Sequence, residues 1–264
     1  MKRTWIVIFF LAISVFPSCY AAAEEPQKAI GIIGPMEEEI MYLLQKMQVH
    51  ETRKIAGMKF YKGSLHGKEI VIVSSGIGKV NAAACAQALI DHYKVTAIIN
   101  SGIAATLTGK YKSGDIIISA DVVQHDVDAS GIGEEPGTIA RMNIKYFQAD
   151  KKLIQAAKQA GEKIENYGVY VGHIASGDQF VENHDFKARI RRQFAADAVE
   201  MEGAAIGHVA YLNRVPFVVI RAIADDATGV EEAAYNKLIH FAARQASLLT
   251  EEMLKNKKLN RKEG

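Results

Sequence analysis

Glu69-Ile-Val-Ile-Val-Ser-Ser75, then Gly76-Ile-Gly-Lys79, then Val80-Asn-Ala-Ala-Ala-Cys-Ala-Gln-Ala-Leu-Ile-Asp-His92 is the stretch on which the fold turns. A short β-branched run reads as a strand, and its lack of polar alternation marks it as buried on both faces. Two glycines then free the backbone to turn, and an Ala-rich run of helix formers follows. Ala97–Ser101 is the next apolar run, a second strand.

The same alternation extends in both directions. Strands are expected at Ala29–Gly34, Asp115–Ser119, Gly168–Ser176, Ala198–Glu200 and Pro216–Ala222. Helices are expected at Glu37–Met47, Lys151–Lys163, Phe186–Phe194, Glu202–Leu212 and Glu231–Lys255. Strands separated by helical stretches imply an α/β fold with a mainly parallel sheet covered on both faces. No Pro- or Ser-rich linker and no repeat divides the chain, so residues 24–264 are expected to form one domain. Gln124–Asn143 carries three closely spaced glycines and little apolar period, and reads as a long functional or interface loop.

The N-terminus follows another logic. Lys2 and Arg3 precede an apolar run from Trp5 to Val15, and Ala21-Ala-Ala23 closes the segment. A positive head, a short apolar stretch and small residues describe a cleavable signal peptide over residues 1–23, too short to span a bilayer. Export to the periplasm or cell surface is therefore expected, with no transmembrane span in the mature chain. Phe16-Pro-Ser-Cys19 loosely matches a lipoprotein processing site, which makes a lipid anchor at Cys19 the alternative. Cys85 alone survives cleavage, so no intramolecular disulfide is available and the core must hold the domain. Losing Lys2 and Arg3 takes the 32 basic residues to 30, level with the 30 acidic ones. A neutral chain offers no basis for nucleic-acid binding.

Five segments have chemistry to offer. In Gly31-Ile-Ile-Gly-Pro-Met36-Glu-Glu-Glu39 a strand ends in glycine, and three carboxylates begin a helix. Acids at a positive helix end explain them structurally, although Glu39 could instead point over the strand end and activate a water. Ser75-Gly-Ile77-Gly-Lys79 lacks both the dinucleotide and the triphosphate spacing, and by itself is a tight strand-to-helix turn. Ser176-Gly-Asp-Gln-Phe180-Val181 sets an aromatic ring beside an open loop, as a base-stacking face or as an ordinary core Phe. Val199-Glu-Met201-Glu202 brings two carboxylates onto one face of an extended segment, where one could accept both hydrogens of a cis-diol. A plain helix start also explains Glu202. Finally, Val218-Val-Ile-Arg221-Ala-Ile-Ala-Asp225-Asp226 delivers Arg221 and Asp225 to the end of an apolar strand, where open α/β sheets bind ligands. Apolar neighbours would raise the pKa of such an Asp and let it hold a proton, although two loop carboxylates capping the next helix also explain Asp225 and Asp226.

Singly these signals are modest, but their order and spacing are specific. Gly31-Ile-Ile-Gly-x-Met-Glu-Glu-Glu39, Ser75-Gly-Ile-Gly-Lys79, Asn100-x-Gly102, Ser176-Gly-Asp-x-Phe180, Val199-Glu-Met-Glu202 and Arg221-Ala-Ile-x-Asp225 occur in sequence. Together they resemble the bacterial 5′-methylthioadenosine/S-adenosylhomocysteine nucleosidases over nearly all of the chain after the leader. The resemblance implies a nucleoside phosphorylase-like three-layer α/β sandwich around a mixed, mostly parallel sheet. It also implies a homodimer and hydrolysis of adenine nucleosides without metal or other cofactor. Carried over by motif, Asp225 protonates adenine N7, while Glu39 with Arg221 nearby positions the attacking water. Glu202 and the Met201 backbone hold the ribose hydroxyls. Phe180 stacks on adenine and the Val181 backbone reads its edge. Met36, Ile77 and Tyr235 line the 5′-alkylthio pocket, with part of the rim supplied by the partner subunit's 124–143 loop.

Three departures stand out. Ile103-Ala104-Ala105 replaces the family's Ser-Ala-Gly, Ala224 replaces the usual Ser before the catalytic Asp, and most members carry no export signal. Each lost hydroxyl would cost about 0.5–1.5 kcal/mol of hydrogen bonding, enough to slow such an enzyme without abolishing it. Two rivals follow. A phosphorylase of the same superfamily would need cations and a hydroxyl where this chain has Glu39 and Ile103. An exported binding or adhesion protein with decayed activity would explain the departures, but not the intact Glu39, Glu202, Arg221 and Asp225.

Overall fold

The computed structural model describes residues 29–224, 232–256 and 259. The expected leader and Asp225 lie outside them, and Tyr235 is described only as helical backbone. In chain order the elements are β1 (Ile30–Gly34), α1 (Glu37–Lys46), β2 (Gln48–Ile55), β3 (Met58–Leu65), β4 (Lys68–Ser74), α2 (Lys79–Tyr93) and β5 (Ala97–Thr106). There follow β6 (Ile116–Gln124), a 3-10 turn at Ser130–Ile132, β7 (Tyr146–Gln148), α3 (Lys151–Gly161), β8 (Val169–Ser176) and α4 (His184–Phe194). β9 (Ala198–Glu200), α5 (Gly203–Asn213), β10 (Phe217–Ile223) and α6 (Glu232–Leu254) complete the order.

The strands form one mixed sheet. β2, β3, β4, β1 and β5 lie side by side, and β5 then pairs with both β10 and β9. Since β10 continues through β6 and β8 back to β9, this half of the sheet closes on itself. β1 is parallel to β4 and β5, β5 to β10, and β8 to β6 and β9. The antiparallel pairs come from the β2–β3–β4 meander, from β6 with β7 and β10, and from β9 against the end of β5.

Helices cover both faces. On β1, Gly31 and Gly34 are three residues apart and so face opposite ways. A Cβ at Gly31 would lie 2.9 Å from Leu89 of α2, and one at Gly34 would lie 2.7 Å from Ile40 of α1. α1, α3 and α6 pack together in one layer, and α2 packs on α5 in the other. The apolar strands between them, including the wholly buried β1 and β10, form the core.

The hairpin β2–β3 and the short β7 were not legible as strands. β2 reads Gln-Val-His-Glu-Thr-Arg-Lys-Ile and is exposed at seven of its eight positions. An edge strand armed with charge carries no apolar alternation. β5 also runs past the expected Ser101 to Thr106, because Ile103 and Ala104 pair with β10 while Ala105 and Thr106 pair with β9. That extension matters. β1, β4, β5 and β10 aim their carboxyl ends at one place, and β8 and β9 arrive there from the opposite side.

Candidate active site

At the end of β1 the chain turns through buried Pro35 into α1. Glu37 is exposed, as an acid at a helix start should be, whereas Glu39 is 1% exposed. Side chains on a helix lean toward its N-terminus, so the third residue of α1 reaches back over the strand end. One Glu39 oxygen accepts the Met36 N–H at 2.7 Å and the other accepts the Ile103 N–H at 2.9 Å. Burial pushes its carboxyl up to about 7, against the pull of Arg221. Both readings of the triple Glu hold, for different residues: Glu37 serves the helix and Glu39 serves the cleft.

Arg221 is fully buried within β10. Its Nη2 donates to Glu200, to Asn100 Oδ1 at 2.6 Å and to Glu202 Oε2 at 3.3 Å. Nη1 donates to the Ile103 carbonyl at 3.1 Å and lies 3.9 Å from Glu39 Oε1. Burial alone would lower the guanidinium pKa, but Glu200, Glu202 and Glu39 together hold it above the usual value. A side chain at Gly102 would strike both Glu39 and Arg221, so glycine is what allows this pair to meet across β5.

Glu200 and Glu202 divide two tasks. Glu200 accepts the N–H groups of Glu202 at 3.0 Å and Gly203 at 2.8 Å, together with the Ser176 hydroxyl. Glu202 turns the other way, accepting the Gly78 N–H at 2.8 Å. Burial raises the Glu202 pKa, Arg221 opposes this and the charge of Glu200 adds to it. Gly78, at φ +98°, therefore does more than turn the chain. Its amide orients a carboxylate.

The cleft above this cluster is lined by ten of the twelve expected site residues. The buried Glu39, Glu200, Glu202 and Arg221 line it, together with Met36, Ile77, Met201, Ile103 and Ala104. Val181 is buried, but Phe180 is 70% exposed, which removes the core-Phe reading and leaves a free aromatic face at the rim. The other two, Asp225 and Tyr235, fall outside the description of side chains, while Ala224 lines the cleft just before Asp225. Sequence reading missed Glu200 and Asn100 as members of the cluster. The shared face of residues two apart in an extended segment was the available signal for Glu200; nothing local pointed Asn100 at Arg221.

A sequence profile of the phosphorylase superfamily matches residues 29–255. The 5′-methylthioadenosine/S-adenosylhomocysteine nucleosidase of Staphylococcus haemolyticus is 40% identical over 227 residues, which is 86% of this chain and 99% of that protein. Among solved structures, the corresponding nucleosidase of Neisseria meningitidis, in complex with methylthio-immucillin-A, superposes with a TM-score of 0.82 at 35% identity. That match covers 86% of this chain and 99% of the other. The chain belongs to the methylthioadenosine/S-adenosylhomocysteine nucleosidase family.

Futalosine hydrolase of Helicobacter pylori is a further structural neighbour, with a TM-score of 0.80 at 32% identity over 86% of this chain and 97% of the other. Within this nucleosidase fold the unusual Ile103 keeps its polar duties in the backbone. Its N–H holds Glu39 and its carbonyl holds Arg221, while its half-buried side chain packs on the core and lines the cleft. Ala224 likewise donates its N–H to the Ala104 carbonyl at 3.0 Å. Both departures change the cleft wall and leave the frame of the nucleosidase site intact.

Proposed function

We propose that this protein hydrolyses the N-glycosidic bond of 5′-methylthioadenosine, S-adenosylhomocysteine and related 5′-substituted adenosines, releasing adenine and the 5-substituted ribose. The observation that carries this reading is the way Glu39 covers the Ile103 amide while Glu200 and Glu202 engage Arg221. A phosphate nucleophile needs such amides and cations for itself. Here it would meet three carboxylates instead, whereas a water can donate one proton to Glu39 and be aimed by it.

In this mechanism the ribose hydroxyls lie on Glu202 and the Met201 backbone, and the base lies against Phe180 and the Val181 backbone. Asp225 protonates N7, so the leaving group departs neutral. As the anomeric carbon gains cationic character, the buried carboxylates stabilise it. Glu39 takes the water's proton as the new C–O bond forms on the face opposite the base. Met36, Ile77 and Tyr235 receive the 5′-substituent.

The proposed assembly is a homodimer of an exported protein. Ile77 and Val80, at the mouth of the cleft and the start of α2, are 53% and 79% exposed, which favours a covered apolar surface there. Ile132, in the loop expected to cross to the partner, is 74% exposed. Export rests on the pattern of residues 2–23, with a lipid anchor at Cys19 as its variant. Among the described residues no helix is long and apolar enough to cross a membrane.

The deciding assay follows free adenine from 5′-methylthioadenosine, with and without phosphate, and uses futalosine as comparator nucleoside. Release independent of phosphate is expected. Strict phosphate dependence would convert the assignment to a phosphorylase, and no release from folded protein would favour a binding protein.

A further inference from the structure

Lys79, Asp126 and Asp178 stand beside the cleft and none of them lines it. Lys79 is the first residue of α2, Asp126 follows the end of β6, and Asp178 follows the end of β8. The Lys79 ammonium donates to Asp126 Oδ1 at 2.6 Å and to Gln124 Oε1 at 3.1 Å. The second Asp126 oxygen accepts the Asp178 N–H at 2.9 Å. Asp178 Oδ1 in turn accepts the Lys79 N–H at 2.7 Å. Three residues from three segments thus form a closed ring, each bonded to the other two.

The ring is well made. The Lys79 and Asp126 side chains are only 16% and 19% exposed, so their pair is partly shielded from solvent. Burial would raise the Asp126 carboxyl, but the hydrogen bonds from Lys79 and Asp178 win and hold it below the ordinary range. Asp178 sits at the positive end of α2, where a carboxylate is favoured.

Its neighbours are what give the ring a purpose. One residue before Lys79 is Gly78, whose amide holds Glu202, and two before it is Ile77 of the cleft wall. One and two residues after Asp178 come Gln179 and Phe180, both lining the cleft. A Cβ at Gly78 would lie 3.1 Å from Asp178 Oδ1, so the two loops already touch. Consecutive amides at the entry to α2 thus meet two carboxylates: Gly78 with Glu202 inside the cleft, and Lys79 with Asp178 outside it.

We propose that Lys79 and Asp126 are positioning residues whose ion pair, closed through Asp178, sets the separation between the Gly78 amide that orients Glu202 and the loop that presents Phe180. This rests on the assignment of Glu202 to the ribose and Phe180 to the base. Loosening the ring frees Glu202 to leave its place, which weakens recognition of the sugar hydroxyls more than it weakens the fold.

The test uses the full chain with Lys79→Met, Asp126→Asn and, as a charge-keeping rescue, Lys79→Arg. The first readout is the ratio of kcat/KM for 5′-methylthioadenosine to that for its 2′-deoxy and 3′-deoxy analogues. In Lys79→Met this ratio is expected to fall about tenfold, the value of one hydrogen bond to a charged group, and to recover in part in Lys79→Arg. A general structural defect would lower both rates alike, and an unchanged ratio overturns the proposal. The second readout needs no turnover: amide exchange at residues 77–79 and 178–181. Exchange should accelerate at both loops in Lys79→Met, and protection equal to wild type at both overturns the proposal even if the chain released no adenine. Absence of adenine release from wild type would instead count against the hydrolase assignment. Should Lys79→Met fail to fold, the isosteric Asp126→Asn carries both readouts.

Discussion

Glu202 occupies the N-cap position of α5, yet the carboxylate that caps this helix belongs to Glu200. The two residues have exchanged the roles that position alone would assign. Glu200 belongs to the frame, binding two amides, the Ser176 hydroxyl and Arg221. Both residues line the cleft, but Glu202 is left with one amide and a longer contact to Arg221, so its carboxylate is the one with hydrogen-bonding capacity to spare for a ligand.

That division predicts opposite phenotypes for two chemically identical changes. Glu200→Gln removes the main counter-charge of a buried guanidinium and should cost about 2–4 kcal/mol of stability. Glu202→Gln relieves like-charge repulsion, so its Tm should equal or exceed that of wild type. Its kcat/KM should nevertheless fall by about a hundredfold or more, as expected when an ionic contact to the reacting sugar is lost. Thermal melts and steady-state kinetics on both variants check the contrast, and a Glu202→Gln that melts lower than Glu200→Gln would reverse it.

Glu39 links activity and stability with opposite signs. Its ordinary carboxyl value of 4.5 is raised to about 7 by burial. The folded protein therefore holds a proton between those values that the unfolded chain has released, and stability falls as pH rises through that window. Above pH 7 the residue is ionised in both states and the loss is complete, at about 3–4 kcal/mol for this group. The base proposed for water activation gains occupancy over the same interval. Because burial raises Glu202 to about 7 as well, kcat/KM should rise at least tenfold per pH unit below about 7 and level off above it, while wild-type Tm declines. In Glu39→Gln the corresponding part of the Tm decline should vanish, along with most of the activity. Melts and rates from pH 5 to 8 test both halves, and a wild-type Tm no more pH-dependent than that of Glu39→Gln would remove the assignment.

How much of this was legible beforehand varied with the kind of interaction. The strand–turn–helix units announce themselves because β-branched runs and Ala-rich runs differ in local preference. Motif order brought Glu39, Glu202, Arg221 and Phe180 into one site. Local pattern left Glu39 and Glu202 undecided between helix start and cleft, since that choice depends on the Ile103 and Gly78 amides, 64 and 124 residues away along the chain. The ring of Lys79, Asp126 and Asp178 is invisible to any local rule for the same reason. β2 was missed because a charged edge strand has no buried face to advertise.

Asp225 follows Ala224 at the exit of the wholly buried β10, with Ala224 on the cleft wall. As the proposed proton donor to N7 it would act only as the glycosidic bond breaks, so its loss should appear in kcat. Asp225→Asn is expected to lower kcat by about a thousandfold or more, the scale of general acid catalysis on a poor leaving group. Binding of a non-hydrolysable adenosine analogue, measured by calorimetry, should change by less than about tenfold. Near-normal turnover in this variant would refute the assignment.

Val80 is 79% exposed and lies three residues after the 53% exposed Ile77 of the cleft wall, so the two make an apolar patch at the start of α2 that the proposed second copy would cover. Val80→Glu should shift the protein toward monomer in sedimentation velocity without lowering the Tm of the monomer fold. It should also weaken binding of 5′-alkylthio substrates if the partner completes the rim. A monomeric wild type would dismiss the dimer.

Ile103 is the departure whose consequence can be stated most sharply. The backbone of this residue is fully committed, with its N–H on Glu39 and its carbonyl on Arg221, so a substitution there alters the side chain and leaves the cluster in place. The Ile side chain packs partly on the core and partly faces the cleft. Ile103→Ser removes that apolar contact, at a cost of about 1–2 kcal/mol for a half-buried aliphatic chain, and Tm should fall. In exchange the hydroxyl returns a polar contact to the region of the ribose and the attacking water, about 0.5–1.5 kcal/mol when well placed. kcat/KM for 5′-methylthioadenosine should therefore rise by up to about tenfold as stability declines. Ala224→Ser should add a smaller gain, and because both side chains line one cleft their effects need not be additive. Rates and melts on the two single variants and the double decide the matter. A loss of stability with no gain in rate would mean that Ile103 shapes the pocket for a different 5′-substituent, and profiling the variants on longer alkylthio-adenosines would then show preference moving with the residue.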